Sequence, residues 1–180
     1  MTGEDGGTGM DVQARASAIR QETDAALADS DVEVEDVVIH PAGRRKLVRV
    51  TVVRDLGGLA VDDDISPVEP LSLDEIAAVT RTVAEVLDSS EVMGQAPYTL
   101  EVSSPGVDHP LTDPVQFRRN VGRLLSVQLT GGACTEGRLL AAGADGIRLD
   151  GASQDVLPYG QVTRARVQVE FTRPGSGEDR

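Results

Sequence analysis

Ser104-Pro105-Gly106 constrains this chain more than any other stretch, because the apolar residues on its two sides repeat with different periods. Before it, segments of helical period alternate with segments of period two. After it, short strand-like segments recur between glycine-rich turns. His109-Pro110 restricts the backbone again a few residues later. A chain of 180 residues fits one medium domain or two small ones, and the change of pattern argues for two. The expected organisation is a disordered tail at residues 1–10, a domain at 11–104, a linker at 105–112, a domain at 113–173 and a disordered tail at 174–180.

In the first half, residues 11–29 predict a helix with Val12, Ala16, Ile19, Ala26 and Leu27 on one face. Residues 32–40 predict a strand closed by the turn Pro41-Ala42-Gly43. Residues 45–54 predict a second strand, with Val48, Val50 and Val52 on one face and Arg49 and Thr51 on the other. So short a connection argues for an antiparallel hairpin. A loop at 55–71 leads to Ser72-Leu73-Asp74-Glu75, which fits a capping box. Ile76, Val79, Val83 and Leu87 form the stripe of the helix it starts. A third strand at 98–103 turns Tyr98, Leu100 and Val102 inward. The order α-β-β-α-β describes a small α+β domain with helices on one face of a three-stranded sheet.

In the second half, Asp113-Pro114 marks a helix start that runs to about Gly122. Strands are expected at 124–129, 137–142, 147–150, 154–157 and 165–171, with hairpins at Gly131-Gly132 and Asp145-Gly146. Five short strands at this spacing suggest a small β-barrel. Ser104-Pro105-Gly106 itself reads as a tight turn in which Gly106 takes a positive φ.

The core must be built from Val, Leu, Ile and Ala, since there is no Trp and only two Phe and two Tyr. No apolar run approaches the roughly 20 residues that span a bilayer, so no membrane association is expected. Residues 1–9 reverse the basic-then-apolar order of a signal peptide, and Cys134 is alone. These features predict a cytoplasmic protein. The net charge of -13 is uneven: residues 1–108 carry 22 acids and 8 bases, whereas 109–180 carry 8 and 9. Such an acidic half repels nucleic acid and attracts basic partners.

The stretch Tyr98-Thr99-Leu100-Glu101-Val102-Ser103-Ser104-Pro105-Gly106-Val107-Asp108-His109-Pro110-Leu111 resembles the signature segment of the RimP family of ribosome maturation factors. Leu73-Asp74-Glu75 opening a helix that ends at Val86-Leu87-Asp88 is similar to the family's second helix. Gly122-Arg123, Gly137-Arg138-Leu139 and Val156-Leu157-Pro158-Tyr159 are similar to its C-terminal barrel. The resemblance runs from about residue 14 to residue 171. It implies an α+β fold, an N-terminal α-β-β-α-β domain plus a C-terminal SH3-like or Sm-like β-barrel. It implies a monomeric binding protein with no catalytic residues, cofactor or metal. Its partners would be the free small ribosomal subunit and a basic small-subunit ribosomal protein near the decoding region, with late joining of subunit proteins as the outcome. Glu101, Ser103, Ser104, Pro105, Gly106, Asp108, His109, Pro110 and Leu111 become the partner-binding or linker candidates. Two departures stand out: His109 replaces a usual Arg, and the loop at 57–71 is longer than usual.

Asp62-Asp63-Asp64 suggests a metal, but Pro67 and Leu73 occupy the positions where an EF-hand needs Gly and Glu; a solvated acidic loop is the simpler reading. Cys134, His40 and His109 lack zinc spacing. Asp108-His109 beside Ser103 and Ser104 has no nucleophile elbow. Cys134 is expected to be a small core residue. Arg118, Arg119, Arg123, Arg164 and Arg166 are candidate contacts for rRNA phosphate, although few aromatic rings are present to stack bases. Two alternatives remain: an RNA-binding regulator that uses the Sm-like barrel, and an enzyme that uses Asp62 to Asp64.

Overall fold

A computed structural model describes residues 11–94, 97–152 and 154–170. It divides into two compact units. One takes the described parts of Met1–Asp55 together with Pro70–Pro105; the other takes Leu56–Glu69 together with the described part of Gly106–Arg180. The segment between the second strand and the second helix is therefore part of the second unit. Both proposed disordered tails lie outside the described residues.

The first unit contains helix α1 (Val12–Ala26), strands β1 (Val32–Ala42) and β2 (Arg45–Arg54), helix α2 (Leu73–Ser89) and strand β3 (Tyr98–Ser103). The sheet order is β1-β2-β3, with β1 antiparallel and β3 parallel to β2. Parallel pairing requires a crossover, and α2 supplies it. Both helices pack on the face carrying Val48, Val50 and Val52, which are fully buried. Along α1 the buried positions are Ala16, Ile19 and Thr23, continued by Leu27 at its C-cap. The expected stripe differs at its ends: Val12 and Ala26 are exposed, and Thr23 takes an inward place. Spacing explains this, because 16, 19, 23 and 27 follow one helical face more closely. The hairpin turn is Gly43-Arg44, so Pro41 and Ala42 belong to β1 and pair with Lys46 and Arg45.

β1 also carries a bulge. Val34 pairs with Val52 and Asp36 with Thr51, leaving Glu35 as an extra residue. The valines force it: Val32 and Val34 face the core, and so do Val37 and Ile39. Strict alternation cannot bury both pairs, so one residue must be inserted. α1 satisfies the backbone freed there. Arg20 donates to the carbonyls of Val34 (2.8 Å) and Glu35 (3.0 Å), and Asp24 accepts from the Val34 N–H at 3.3 Å.

Helix α2 begins at Ser72 with the expected capping box. The Ser72 hydroxyl accepts from the Glu75 N–H, and Glu75 accepts from the Ser72 N–H at 2.7 Å. The other Glu75 oxygen receives Arg54 at 2.7 Å. These donors, Arg54 first, hold the Glu75 carboxyl down at about 2.

The second unit contains helix α3 (Pro114–Arg119) and strands β4 (Leu124–Leu129), β5 (Cys134–Ala142), β6 (Gly146–Leu149), β7 (Leu157–Pro158) and β8 (Val162–Val167). A 3-10 turn at Tyr159–Gln161 separates the last two strands. Asp113 caps α3 and Pro114 takes its first turn. The strands run β7-β6-β5-β4-β8, each antiparallel to its neighbour. Among the described residues β7 and β8 do not pair, so the expected closed barrel is found as an open five-stranded sheet. The strand expected at 154–157 shrinks to two residues, and the last strand is Val162–Val167; Phe171 lies outside the described residues. Phe117, Leu125, Val127, Leu139, Ile147 and Ala165 form the centre of the core, with the Tyr159 ring 5.7 Å from that of Phe117. Gly146 lies where a Cβ would sit 2.3 Å from the Leu157 carbonyl oxygen, so only glycine lets β7 approach β6. Cys134 is exposed and not a core residue. In β5 the odd positions Gly137, Leu139 and Ala141 turn inward, which directs Cys134 to the outer face.

Candidate functional site

The signature segment is shared between the two units. Glu101 lies on β3 directly beside Arg49 of β2, and the two side chains form a two-pronged ion pair at 3.1 and 3.2 Å. Both are nearly half exposed, so the pair adds at most about 1 kcal/mol. Ser103 ends the strand opposite Thr51. Ser104 and Pro105 are half-buried in the first unit.

From Gly106 the chain belongs to the second unit. The His109 N–H donates to the Gly106 carbonyl at 2.9 Å, closing a turn whose tip exposes Val107, Asp108 and His109. Gly106 does not adopt the expected positive φ, and a Cβ there would meet nothing within 4 Å. The turn centres two residues later than the sequence suggests, so Gly106 is its first residue and needs no left-handed backbone. After half-buried Pro110, Leu111 is buried and exchanges two backbone hydrogen bonds with Ala165, at 2.8 and 2.9 Å. Its side chain belongs to the core, while its backbone occupies the outer edge of β8.

The candidate arginines separate into two groups. Arg118 is only 8% exposed. Its Nε donates to the Asp63 carbonyl (2.7 Å), and its terminal nitrogens reach the Ser66 carbonyl (2.7 Å) and the Asp63 carboxylate (3.1 Å). Arg119 is half-buried, and burial lowers its pKa; Arg123 is also half-buried. Arg164 and Arg166 are exposed on the outer face of β8. Register places Arg164 beside Gln128 and Arg166 beside Ser126 of β4. Arg164 donates to the Gln128 amide oxygen at 2.9 Å, which fixes the stem of the side chain.

The run Asp62-Asp63-Asp64 is more ordered than a solvated loop. The Asp63 carboxylate accepts from the N–H groups of Ser66 (2.9 Å) and Ile65 (3.2 Å) and lies below its usual pKa, chiefly through the Ser66 bonds. The Asp64 carbonyl accepts from the Ala142 N–H at 2.9 Å. Among the described residues, no three His, Cys, Asp or Glu side chains are grouped to hold a metal ion.

Sequence reasoning missed the cleft of about 310 Å3 in the first unit, lined by Arg20, Asp24, Leu27, Ser30, Glu33 and Asp55 among others. The phase slip between Val34 and Val37 was the signal for the bulge beside it. It also missed Arg138, which pairs with Glu170 and donates to the Gly122 carbonyl at 2.6 Å.

Residues 23–108 match the family model for the RimP N-terminal domain. A ribosome maturation factor RimP from Frankia casuarinae is 38% identical, covering 87% of this chain and 59% of the relative. Another, from Kineococcus radiotolerans, is 41% identical, covering 81% of this chain and 73% of the relative. The chain thus spans about three fifths of the first relative's length and almost three quarters of the second's.

Proposed function

This chain belongs to the RimP family of ribosome maturation factors, and from that premise we propose that it binds the free small ribosomal subunit and assists its maturation. The observation that carries this reading is the 41% identity to a ribosome maturation factor over 73% of that protein's length. The proposed action is binding without catalysis, in the cytoplasm, by a monomer. The family matches are to a maturation factor, and no described cluster assembles a nucleophile, base and stabilising donors.

The acidic first unit is proposed to face a basic protein of the subunit. Charge supports this, since 17 acids against 8 bases in residues 1–55 and 70–105 disfavour approach to RNA. The second unit is proposed as an SH3-like half-open barrel, on the strand order β7-β6-β5-β4-β8 and the 3-10 turn before β8. Arg164 and Arg166 are its proposed rRNA contacts: they project outward about 7 Å apart along the strand and are exposed. Glu101, Ser103, Asp108 and His109 are proposed to meet the subunit from the signature segment.

Sucrose-gradient sedimentation tests the reading. The protein is expected with free small subunits and not with complete ribosomes. An even spread through complete ribosomes would overturn it.

A further inference from the structure

The segment between β2 and α2 is built in a way that a merely solvated loop does not require. It holds itself in shape through hydrogen bonds from the Leu59 N–H to the Leu56 carbonyl and from the Asp63 N–H to the Ala60 carbonyl, both 3.0 Å. The Asp63 carboxylate closes the next turn. Arg118, nearly buried, then fixes the segment through three hydrogen bonds, and the Ala142 N–H ties down the Asp64 carbonyl. Desolvating a guanidinium is costly unless its donors are well satisfied, and here its bonds immobilise one loop.

What the loop displays is equally specific. Val61 is fully exposed, at 107% of its reference area, and Ile65 is 57% exposed. Two β-branched side chains are thus held out to solvent on a fixed backbone, where little ordering entropy is left to lose on binding. Asp62 stands between them, exposed. From residue 55 to residue 80 there are seven carboxylates and no Lys or Arg. That charge disfavours RNA, and a second copy of this chain at -13 would also be repelled.

We propose that this Arg118-anchored loop is a docking element, which seats Val61 and Ile65 in an apolar recess of a basic protein surface. The inference rests on the family-based reading that the partner is the small ribosomal subunit and its basic proteins. The aliphatic pair supplies contact energy, and the flanking carboxylates select a cationic rim. Arg118 is a positioning residue.

The test uses the full chain, free small subunits and purified basic small-subunit proteins. The Val61→Ser/Ile65→Ser double variant is expected to unfold at the wild-type temperature, because both side chains are exposed, and to bind on the order of tenfold more weakly. A photo-reactive side chain in place of Val61 is expected to crosslink to a basic protein. Wild-type binding that the double variant retains in full overturns the inference alone, as does a crosslink confined to rRNA. Self-association of the wild type that the double variant abolishes also overturns it. A wild type that binds subunits and none of the purified proteins overturns the loop inference and leaves the family-based reading standing. A wild type that binds neither probe overturns both.

Discussion

Arg118 grips Asp63 twice, through the backbone carbonyl at 2.7 Å and the carboxylate at 3.1 Å, although 55 residues separate them in sequence. A third bond to the Ser66 carbonyl completes the guanidinium's engagement. Arg118→Gln should therefore free the loop without unfolding the strands. Losing the charged hydrogen bonds to the two carbonyls should cost roughly 2–3 kcal/mol. Amide hydrogen exchange should accelerate at residues 59–66 and stay slow at Leu125 and Val127. Unchanged exchange in the loop would show that Arg118 does not hold it.

Glu75 gives the first unit an acid sensitivity. Its folded pKa of about 2 lies below the ordinary 4.5 because Arg54 and Ser72 favour the carboxylate. A depressed carboxyl pKa stabilises the fold in full above the unfolded value and loses that contribution as pH falls toward the folded value. Stability should thus decline between about pH 4.5 and 2. Glu75→Gln should be less stable at neutral pH and show a shallower acid decline. Parallel pH profiles for the two proteins would refute the assignment.

Thr23 is fully buried on α1, and its hydroxyl oxygen has no hydrogen-bond partner. An unpaired buried hydroxyl costs about 1–3 kcal/mol. Thr23→Val keeps the shape and removes that group, so it should raise stability by about 1 kcal/mol. Chemical denaturation measures it; a loss of stability would mean that the hydroxyl is satisfied in solution.

Gly146 and Gly106 should respond in opposite ways. Gly146→Ala places a Cβ 2.3 Å from the Leu157 carbonyl oxygen, where backbone must move; a loss of about 1–3 kcal/mol is expected. Gly106→Val meets open space at an ordinary backbone conformation, so its melting temperature should stay close to wild type. Equal destabilisation by the two would contradict the strand geometry described.

The elements written in local pattern were legible: the α2 capping box, the Asp113-Pro114 helix start, and the three valines of β2. What escaped were features set by distant partners. Nothing near Asp62-Asp63-Asp64 signals that Arg118 will fix its backbone, so the run reads as a solvated loop. Leu111 reads as linker because its partner, Ala165, lies far along the chain. The parallel register of β3 is equally silent, since alternation does not encode strand direction. Gly106 misleads for another reason: Pro-Gly favours a type II turn, but the closing hydrogen bond forms two residues later. The bulge in β1 is different, because its phase slip is visible in the valine spacing itself.

That bulge bears on how the protein behaves when crowded. Strand β2 reads Val48-Arg49-Val50-Thr51-Val52-Val53, the kind of segment that stacks into fibrils when strand edges are open. It is flanked on both sides within its sheet, so templating would have to start from an outer strand. On β1, Glu35 breaks the ladder, Pro41 lacks an N–H, and Arg20 already occupies the carbonyls of Val34 and Glu35. An incoming strand would find the register interrupted, a donor missing and two acceptors taken. On the β1 edge, the valines that build the core are thereby kept from recruiting other copies of the chain.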